Sequence, residues 1–365
     1  MKKFIYKILK YLNFIFIAAL LLSYLSVFVS PAKVWILAFF GLAYPYLLII
    51  NLLFLIFWIA KQKIFLIFPL IAILLGWNYL NTYIRIPLNN KQSNKASIET
   101  SFNLLSFNVR SFDLYQWSEK ETTKDEIFQF INHQDFEIIC FQDFFTRNSG
   151  VLTEEDIQKK LNQQYQHHIE YSVESANQNL GIATFSKYPI INRGVIKFVK
   201  SFNASIYTDI IIENDTLRIF NIHLQSIRFN EDNYNFISNS KSLKEEEKLK
   251  EIKDISTRLR DAFIKRANQA ETLSMHIKKS PYPVILCGDF NDMPVSYTYH
   301  TLRKNLNDSF VRAGRGIGNT YIGKFPSFRI DYIFYSDELD CNSFNIHNVK
   351  LSDHYPLTVE FYLKP

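Results

Sequence analysis

The first 85 residues contain no aspartate or glutamate, and three apolar runs fill most of them, at 11–29, 34–60 and 64–80. Runs of this length reach or approach the roughly 17–25 residues a helix needs to cross a bilayer, so the segment predicts three transmembrane helices. A cleaved signal peptide is the other reading of the first run, because Lys2, Lys3, Lys7 and Lys10 precede it. No small-x-small cleavage pattern follows, however, and two further runs come at once. Lys61 and Lys63 separate the second and third runs, whereas the first turn, Ser30-Pro-Ala-Lys33, offers one lysine. The positive-inside rule then predicts a cytoplasmic N-terminus and an extracytoplasmic location for everything after the third span.

The composition divides the chain into a membrane anchor at 1–85, a polar linker at 86–100 and a soluble domain at 101–365. Residues 1–100 carry a charge of +9 of the overall +6, which leaves the soluble domain at −3. A weakly acidic domain lacks the electrostatic footprint of a protein built to hold long nucleic acid. Cys140, Cys287 and Cys341 are few and odd in number, and the first two lie in apolar strand-like runs. Neither a disulfide framework nor a zinc site is expected from such spacing.

The soluble domain is organised around Pro283-Val-Ile-Leu-Cys-Gly-Asp-Phe-Asn-Asp-Met-Pro294. It reads as a strand at 284–287, covered on both faces, that delivers Asp289 and Asn291 to the edge of a sheet. Period-two geometry puts both side chains on one side, where a carboxylate and a carboxamide can hold a water and orient a phosphate. The plainer reading is a strand followed by an Asx turn, with Ser296 capping a helix from Tyr297.

Other strands repeat this arrangement. Phe102 to Val109 carries Asn108 near its end, and Phe136 to Phe141 ends in Gln142-Asp143 after an amphipathic helix at 123–133. A hairpin turning at Asn214-Asp215 leads into a strand on which Asn221 and His223 alternate with apolar neighbours. Residues 225–280 read as a long connection followed by a charged helix from about 243 to 277, whose solvated face is one reading and a lid or bilayer contact the other. Gly314 to Asn319 lacks phosphate-loop spacing and reads as a flexible turn. Asp331 lies in an aromatic strand beside Arg329, and a buried aspartate needs a partner. Residues 351–357 supply His354, whose tautomer an aspartate would fix.

Seven motifs then stand in one order: Ser-Phe-Asn-Val at 106–109, Phe-Gln-Asp at 141–143, Gly-Ile-Ala-Thr-Phe-Ser-Lys-Tyr-Pro at 181–189, Asn-Ile-His-Leu at 221–224, Gly-Asp-Phe-Asn at 288–291, Arg-Ile-Asp-Tyr-Ile at 329–333 and Ser-Asp-His-Tyr-Pro at 352–356. Together they resemble the endonuclease/exonuclease/phosphatase superfamily over about residues 101–365. The resemblance implies a four-layer αββα sandwich, two packed mixed β-sheets flanked by helices, here preceded by the three transmembrane helices. It also implies that His354 and Asp331 form a paired imidazole and carboxylate, that Asp289 and Asn291 position water and phosphate, and that His223 contacts a phosphate oxygen. Asn108, Asp143 and Asp353 would surround a divalent metal, Mg2+ or Mn2+. The family usually carries Glu where Asp143 stands. One methylene fewer requires the backbone to move in or a water to bridge, because Mg2+ keeps its ligands at roughly 2.0–2.1 Å.

Three functions follow as expectations. The first is a membrane-anchored, divalent-metal-dependent phosphoesterase that hydrolyses phosphodiester or phosphomonoester bonds, acting on a phospholipid or lipid-linked head group or on a small phosphorylated metabolite. The second is an extracytoplasmic nuclease that takes DNA or RNA, including short nucleic acid. The third is a catalytically silent binding domain held at the lipid bilayer. An apolar rim from Phe229, Tyr234 and Phe236 would mark a lipid enzyme, and clustered Lys and Arg beside the site a nuclease.

Overall fold

The structure, a computed structural model, describes residues 2–86, 101–199, 201, 203–239, 244–323 and 328–364. Nearly all of the expected linker at 86–100 lies outside the described residues.

The N-terminal segment forms helices α1 (Lys2–Leu25), α2 (Pro31–Val34), α3 (Ile36–Leu42), α4 (Tyr44–Ala60), α5 (Ile67–Leu75) and α6 (Trp77–Leu80). Only α1, through Phe4–Leu25, is long and apolar enough by itself to cross a membrane among the described residues. At about 1.5 Å per residue its length exceeds the roughly 30 Å hydrocarbon core. The second expected span is broken, because α3 and α4 meet at 62°. Pro45 starts α4 at a position where its missing N–H ends the bonding ladder from α3. The third is shortened to Ile64–Leu75 by Gly76, which closes α5. Three straight spans are therefore replaced by one, or by two if the bent α3–α4 pair counts as a single span.

Polar side chains lock these helices together. Trp58 Nε1 donates to Asn13 Oδ1 at 2.9 Å, Asn51 Nδ2 donates to the Phe16 carbonyl at 3.1 Å, and Tyr24 stacks on Tyr79.

The remainder builds two mixed six-stranded sheets. In chain order the elements are β1 (Ile84–Arg85), β2 (Ser101–Asn108), α7 (Thr123–Gln134), β3 (Ile138–Arg147), α8 (Glu154–Lys160), β4 (Gln166–Glu174), β5 (Gln178–Ser186), β6 (Ile190–Lys197), β7 (Ala204–Ile212) and β8 (Asp215–His223). They continue with α9 (Glu231–Asn239), α10 (Glu245–Lys278), β9 (Val284–Asp289), α11 (Tyr297–Arg303), β10 (Asn307–Asp308), α12 (Ser309–Ala313), β11 (Gly316–Ile317), β12 (Asp331–Tyr335), β13 (Leu339–Ile346) and β14 (Leu357–Leu363). One sheet runs β10-β12-β9-β8-β7-β6 and the other β13-β14-β2-β3-β5-β4. Only β2–β3 and β8–β9 pair in parallel within these two sheets.

Alternation along each strand fills the space between the sheets with Leu104, Ile138 and Cys140 from one and Ile219, Ile285, Cys287 and Ile333 from the other. Each such fully buried aliphatic side chain contributes about 1.5–3 kcal/mol. The outer faces are covered by α7, through Ile127, Phe128 and Ile131, and by α10, through Ala270 and Leu273. All three cysteines are buried and free.

Two further expectations change here. The charged helix at 243–277 becomes α10, which buries Leu259, Phe263, Arg266, Ala267 and Leu273 instead of standing in solvent, and packs against α2 and α3. The Gly-rich segment at 314–319 is tied down rather than free, because β11 pairs antiparallel with β1 and Gly318 N donates to the Tyr83 carbonyl. Arg329, two residues before Asp331, has a partner of its own. It forms a fully buried ion pair with Asp308 and donates through Nη1 to the Thr82 carbonyl at 3.1 Å.

Candidate active site

Register decides which side chains meet. His223 stands beside Asp289 across the parallel β8–β9 pair, and Asp331 stands opposite Asp289 across β9–β12. The end of β2 brings Asn108 to this edge, β3 continues past Asp143 to Arg147 but turns Asp143 into the same cavity at a bulge, and the loop at 352–356 adds Asp353 and His354. Gly288 makes this convergence possible. Its φ is +134°, and a Cβ there would lie 2.0 Å from the Ile222 carbonyl oxygen, so no other residue fits between β8 and β9.

Asp289 is the hub. Its Oδ2 accepts from Asn108 Nδ2 at 3.0 Å and Asn291 Nδ2 at 3.1 Å, and its Oδ1 accepts from the Asn291 N–H at 2.8 Å. Asn291 reaches back because it sits at φ +53°, a left-handed conformation that asparagine tolerates, rather than by continuing the strand. Two imidazoles face the same carboxylate. His223 Nε2 lies 3.6 Å from Asp289 Oδ2 and its Nδ1 3.4 Å from Asp143 Oδ1. His354 Nε2 lies 3.8 Å from Asp289 Oδ2, while its Nδ1 is held by Asp331 at 2.9 Å.

The Asp331–His354 pair expected from the sequence is thus formed. Thr320 supports it by donating to Asp331 Oδ2 at 2.7 Å while accepting from the Ile330 and Asp331 N–H groups. The electrostatics follow from burial and opposed charges. Burial works to lower the His354 pKa, but the Asp331 and Asp289 carboxylates outweigh it and raise it to about 10. Burial raises Asp289 to about 6, against the pull of the His354 cation.

The oxygen donors named as metal ligands share one cavity of about 450 Å³ with this hub. Asp143 lies on a bulge of β3 between Phe141 and Phe144 with φ +48°, and its side chain is half exposed. Asp353 accepts from Arg110 Nη1 at 2.8 Å, and Asn108 Oδ1 accepts from the Arg110 N–H. Ligand atoms of Asp289, Asp331 and His354 also lie within 4.8 Å of one another. An oxygen-rich donor set of this kind suits a hard divalent cation such as Mg2+ or Mn2+.

Several residues of the site had no sequence signal of their own. Arg110 reaches Asp353 because residues 110–113 all take positive φ, a local path that no motif announces. Tyr321 packs edge-on against His354 at 5.0 Å and bridges to it through the backbone. Gln142 was read only as the neighbour of Asp143, yet its Nε2 donates to Asn221 Oδ1 at 2.7 Å and pins the two sheets together beneath the site. Of the three aromatics expected at an apolar rim, Phe229 and Tyr234 line the cavity and Phe236 does not. Arg110, Arg228 and Arg266 line it too, of which Arg266 is buried and paired with Asp292.

Comparison with known proteins agrees with this geometry. The model of the Endonuclease/Exonuclease/phosphatase family matches residues 105–354, and a domain of unknown function (DUF8431) matches residues 6–83. No curated protein matches the chain. Among solved structures, an endonuclease/exonuclease/phosphatase from Bacteroides vulgatus is 18% identical with a TM-score of 0.54, covering 73% of this chain and 100% of its own. The human Nocturnin catalytic domain is 19% identical with a TM-score of 0.50, covering 72% and 95%. ANGEL2, described as a 2',3'-cyclic phosphatase in complex with adenosine-2',3'-vanadate, is 15% identical with a TM-score of 0.50, covering 73% and 96%. At these identities the structures show a shared fold.

Proposed function

We propose, for a chain that belongs to the Endonuclease/Exonuclease/phosphatase family of phosphate-ester hydrolases, that residues 101–365 form a divalent-metal-dependent phosphoesterase held at a membrane by residues 1–85. The observation that carries the reaction class is His354, fixed by Asp331 on one nitrogen and facing Asp289 with the other, at the floor of a cavity ringed by oxygen donors.

In this reading the attacking water sits on Asp289, whose carboxylate is oriented by Asn291 and Asn108. With its pKa raised only to about 6, Asp289 is ionised at neutral pH and takes a proton from the water as the water oxygen bonds to phosphorus and the ester P–O bond breaks. The departing oxygen keeps the bonding pair and gains a proton to leave as the alcohol. His354, kept protonated by Asp331, hydrogen-bonds a phosphate oxygen, and His223 contacts another. Asn108, Asp143 and Asp353 would hold a divalent cation, which would supply Lewis-acid polarisation of the phosphoryl oxygens. The Arg110 guanidinium is placed to neutralise the anionic substrate beside Asp353.

The membrane part of the reading is supported by the charge pattern. Tyr6 packs on Phe57 and Lys10 lies over Phe65, which puts Lys7, Lys10, Lys61 and Lys63 at the end of the helices away from the sheets. The opposite end touches the catalytic domain, where Val27 and Val295 share a core and Phe39 meets Phe263. A lysine-rich end on the cytoplasmic face would leave the site on the other side. The substrate favoured is a membrane phosphate ester, a phospholipid or lipid-linked head group. A second reading, a nuclease or nucleotide phosphatase, rests on Arg110 and Arg228 at the cavity wall.

The test is hydrolysis by the full chain, in detergent or vesicles, of phospholipids, inositol phosphates, DNA and RNA with Mg2+, Mn2+ or EDTA. Metal-dependent turnover of a lipid ester, lost in His354→Ala, is expected. Turnover of nucleic acid alone would transfer the assignment to the second reading.

A further inference from the structure

The cavity is not built by the catalytic domain alone. Leu42, the last residue of α3, lines it together with Leu259 and Phe263 of α10 and with Phe328. Leu42 is only partly buried. Behind this wall Phe39 of α3 packs edge-on against Phe263 at 5.4 Å, which fixes α3 to α10. Beyond it Tyr46 of α4 meets Phe328 at 6.1 Å.

From Tyr46 an exposed apolar stripe continues down α4 through Ile49, Leu53 and Ile56, at helical spacing. It begins beside Phe328 and runs toward the lysine-bearing end of the helices. One wall of the reaction site therefore adjoins an exposed apolar helix surface, while the acids and histidines line the same cavity. The N-terminal helices are also held rigidly against the catalytic domain. Arg329 bonds the Thr82 carbonyl, and β1 pairs with β11.

We infer that the N-terminal helices complete the substrate site, with Leu42, Leu259, Phe263 and Phe328 forming an apolar lip that receives the hydrocarbon chain of a phosphate ester lying in the bilayer. This rests on the membrane-phosphoesterase reading above and deepens it. The chain of the ester follows the α4 stripe, its phosphate reaches Asp289 and His354, and hydrolysis returns an alcohol and a phosphate monoester that divide the two hydrogens of one water. A hydrocarbon chain, rather than a nucleobase, is the group that matches a lip made of aliphatic and phenyl surface and opening onto lipid.

Two p-nitrophenyl phosphodiesters that differ only in their second group, methyl or hexadecyl, provide the test on the full chain in phosphatidylcholine vesicles. The hexadecyl ester is expected to show a kcat/KM at least about tenfold higher, as burial of a few methylenes implies. Leu42→Glu is expected to reduce that preference about tenfold and Leu42→Met to keep it. Equal kcat/KM for the two esters, or a preference unchanged in Leu42→Glu, overturns the inference while leaving the phosphoesterase reading standing. Failure to hydrolyse either ester with any metal overturns that reading instead. A photoactivatable acyl phosphatidylcholine in the same vesicles tests the lip without turnover. Labelling of residues 36–46 or 259–263 is expected, and labelling confined to α1 overturns the proposal.

Discussion

Asp331 shows how much one carboxylate does at this site. It holds His354 Nδ1 at 2.9 Å and, with Asp289, raises the imidazole pKa to about 10 although burial opposes it. A histidine whose folded-state pKa lies above its unfolded value of about 6.5 stabilises the fold fully below that value, and the stabilisation is lost as pH rises through about 10. In EDTA, chemical denaturation should therefore give a stability that falls between about pH 6.5 and 10, and Asp331→Asn should flatten that slope. The same substitution should lower kcat by roughly 10²–10⁴-fold, the range for a misoriented acid–base group, with a smaller effect on KM. An unchanged slope and an unchanged kcat would separate Asp331 from His354. Asp143 makes a different kind of prediction. Because it supplies a half-exposed oxygen from a β-bulge, Asp143→Ala should weaken Mg2+ or Mn2+ binding by about tenfold or more in titration calorimetry while leaving the unfolding midpoint in EDTA nearly unchanged.

At the scale of elements, β8, β9 and β12 carry the site because their register lines up His223, Asp289 and Asp331, and Gly288 lets β8 and β9 approach. Gly288→Ala should cost several kcal/mol in urea denaturation, since the added Cβ would stand 2.0 Å from a backbone oxygen at a φ of +134°. Asp308→Asn should cost about 3–5 kcal/mol, because it leaves the Arg329 guanidinium buried without its counter-charge. These strands were legible in the sequence. Apolar runs ending in Asn108, Asp143, His223 and Asp289 announced both the elements and the edge at which they converge. Local pattern could not announce β11, whose partner β1 lies more than 200 residues away, or the pairing of Arg329 with Asp308. Arg110 escaped for a related reason, since its reach to Asp353 depends on four successive residues with positive φ. The apolar content of residues 34–80 was legible, but its division was not. Proline and glycine at 45 and 76 decided where the helices break, and packing against α10 decided how α3 lies.

At the scale of the whole molecule, an apolar helical unit is docked beside the open edge of a two-sheet sandwich, so that exposed apolar helix surface and the acid–imidazole hub lie close to one cavity. Lysines gather at the remote end of the helices, and the acids lie at the near end. The sandwich is a family feature. The contribution of Leu42 to the cavity is what a fragment starting at residue 101 would lack. The hydrolytic reaction is reached directly by one measurement: release of product from a panel of phosphate esters by the full chain in vesicles, with Mg2+, Mn2+ or EDTA, beside His354→Ala prepared in parallel. Metal-dependent hydrolysis that disappears in EDTA and falls at least about a hundredfold in His354→Ala is the predicted result. Hydrolysis that persists in His354→Ala, or no hydrolysis of any ester by a folded chain with either metal, would contradict the account.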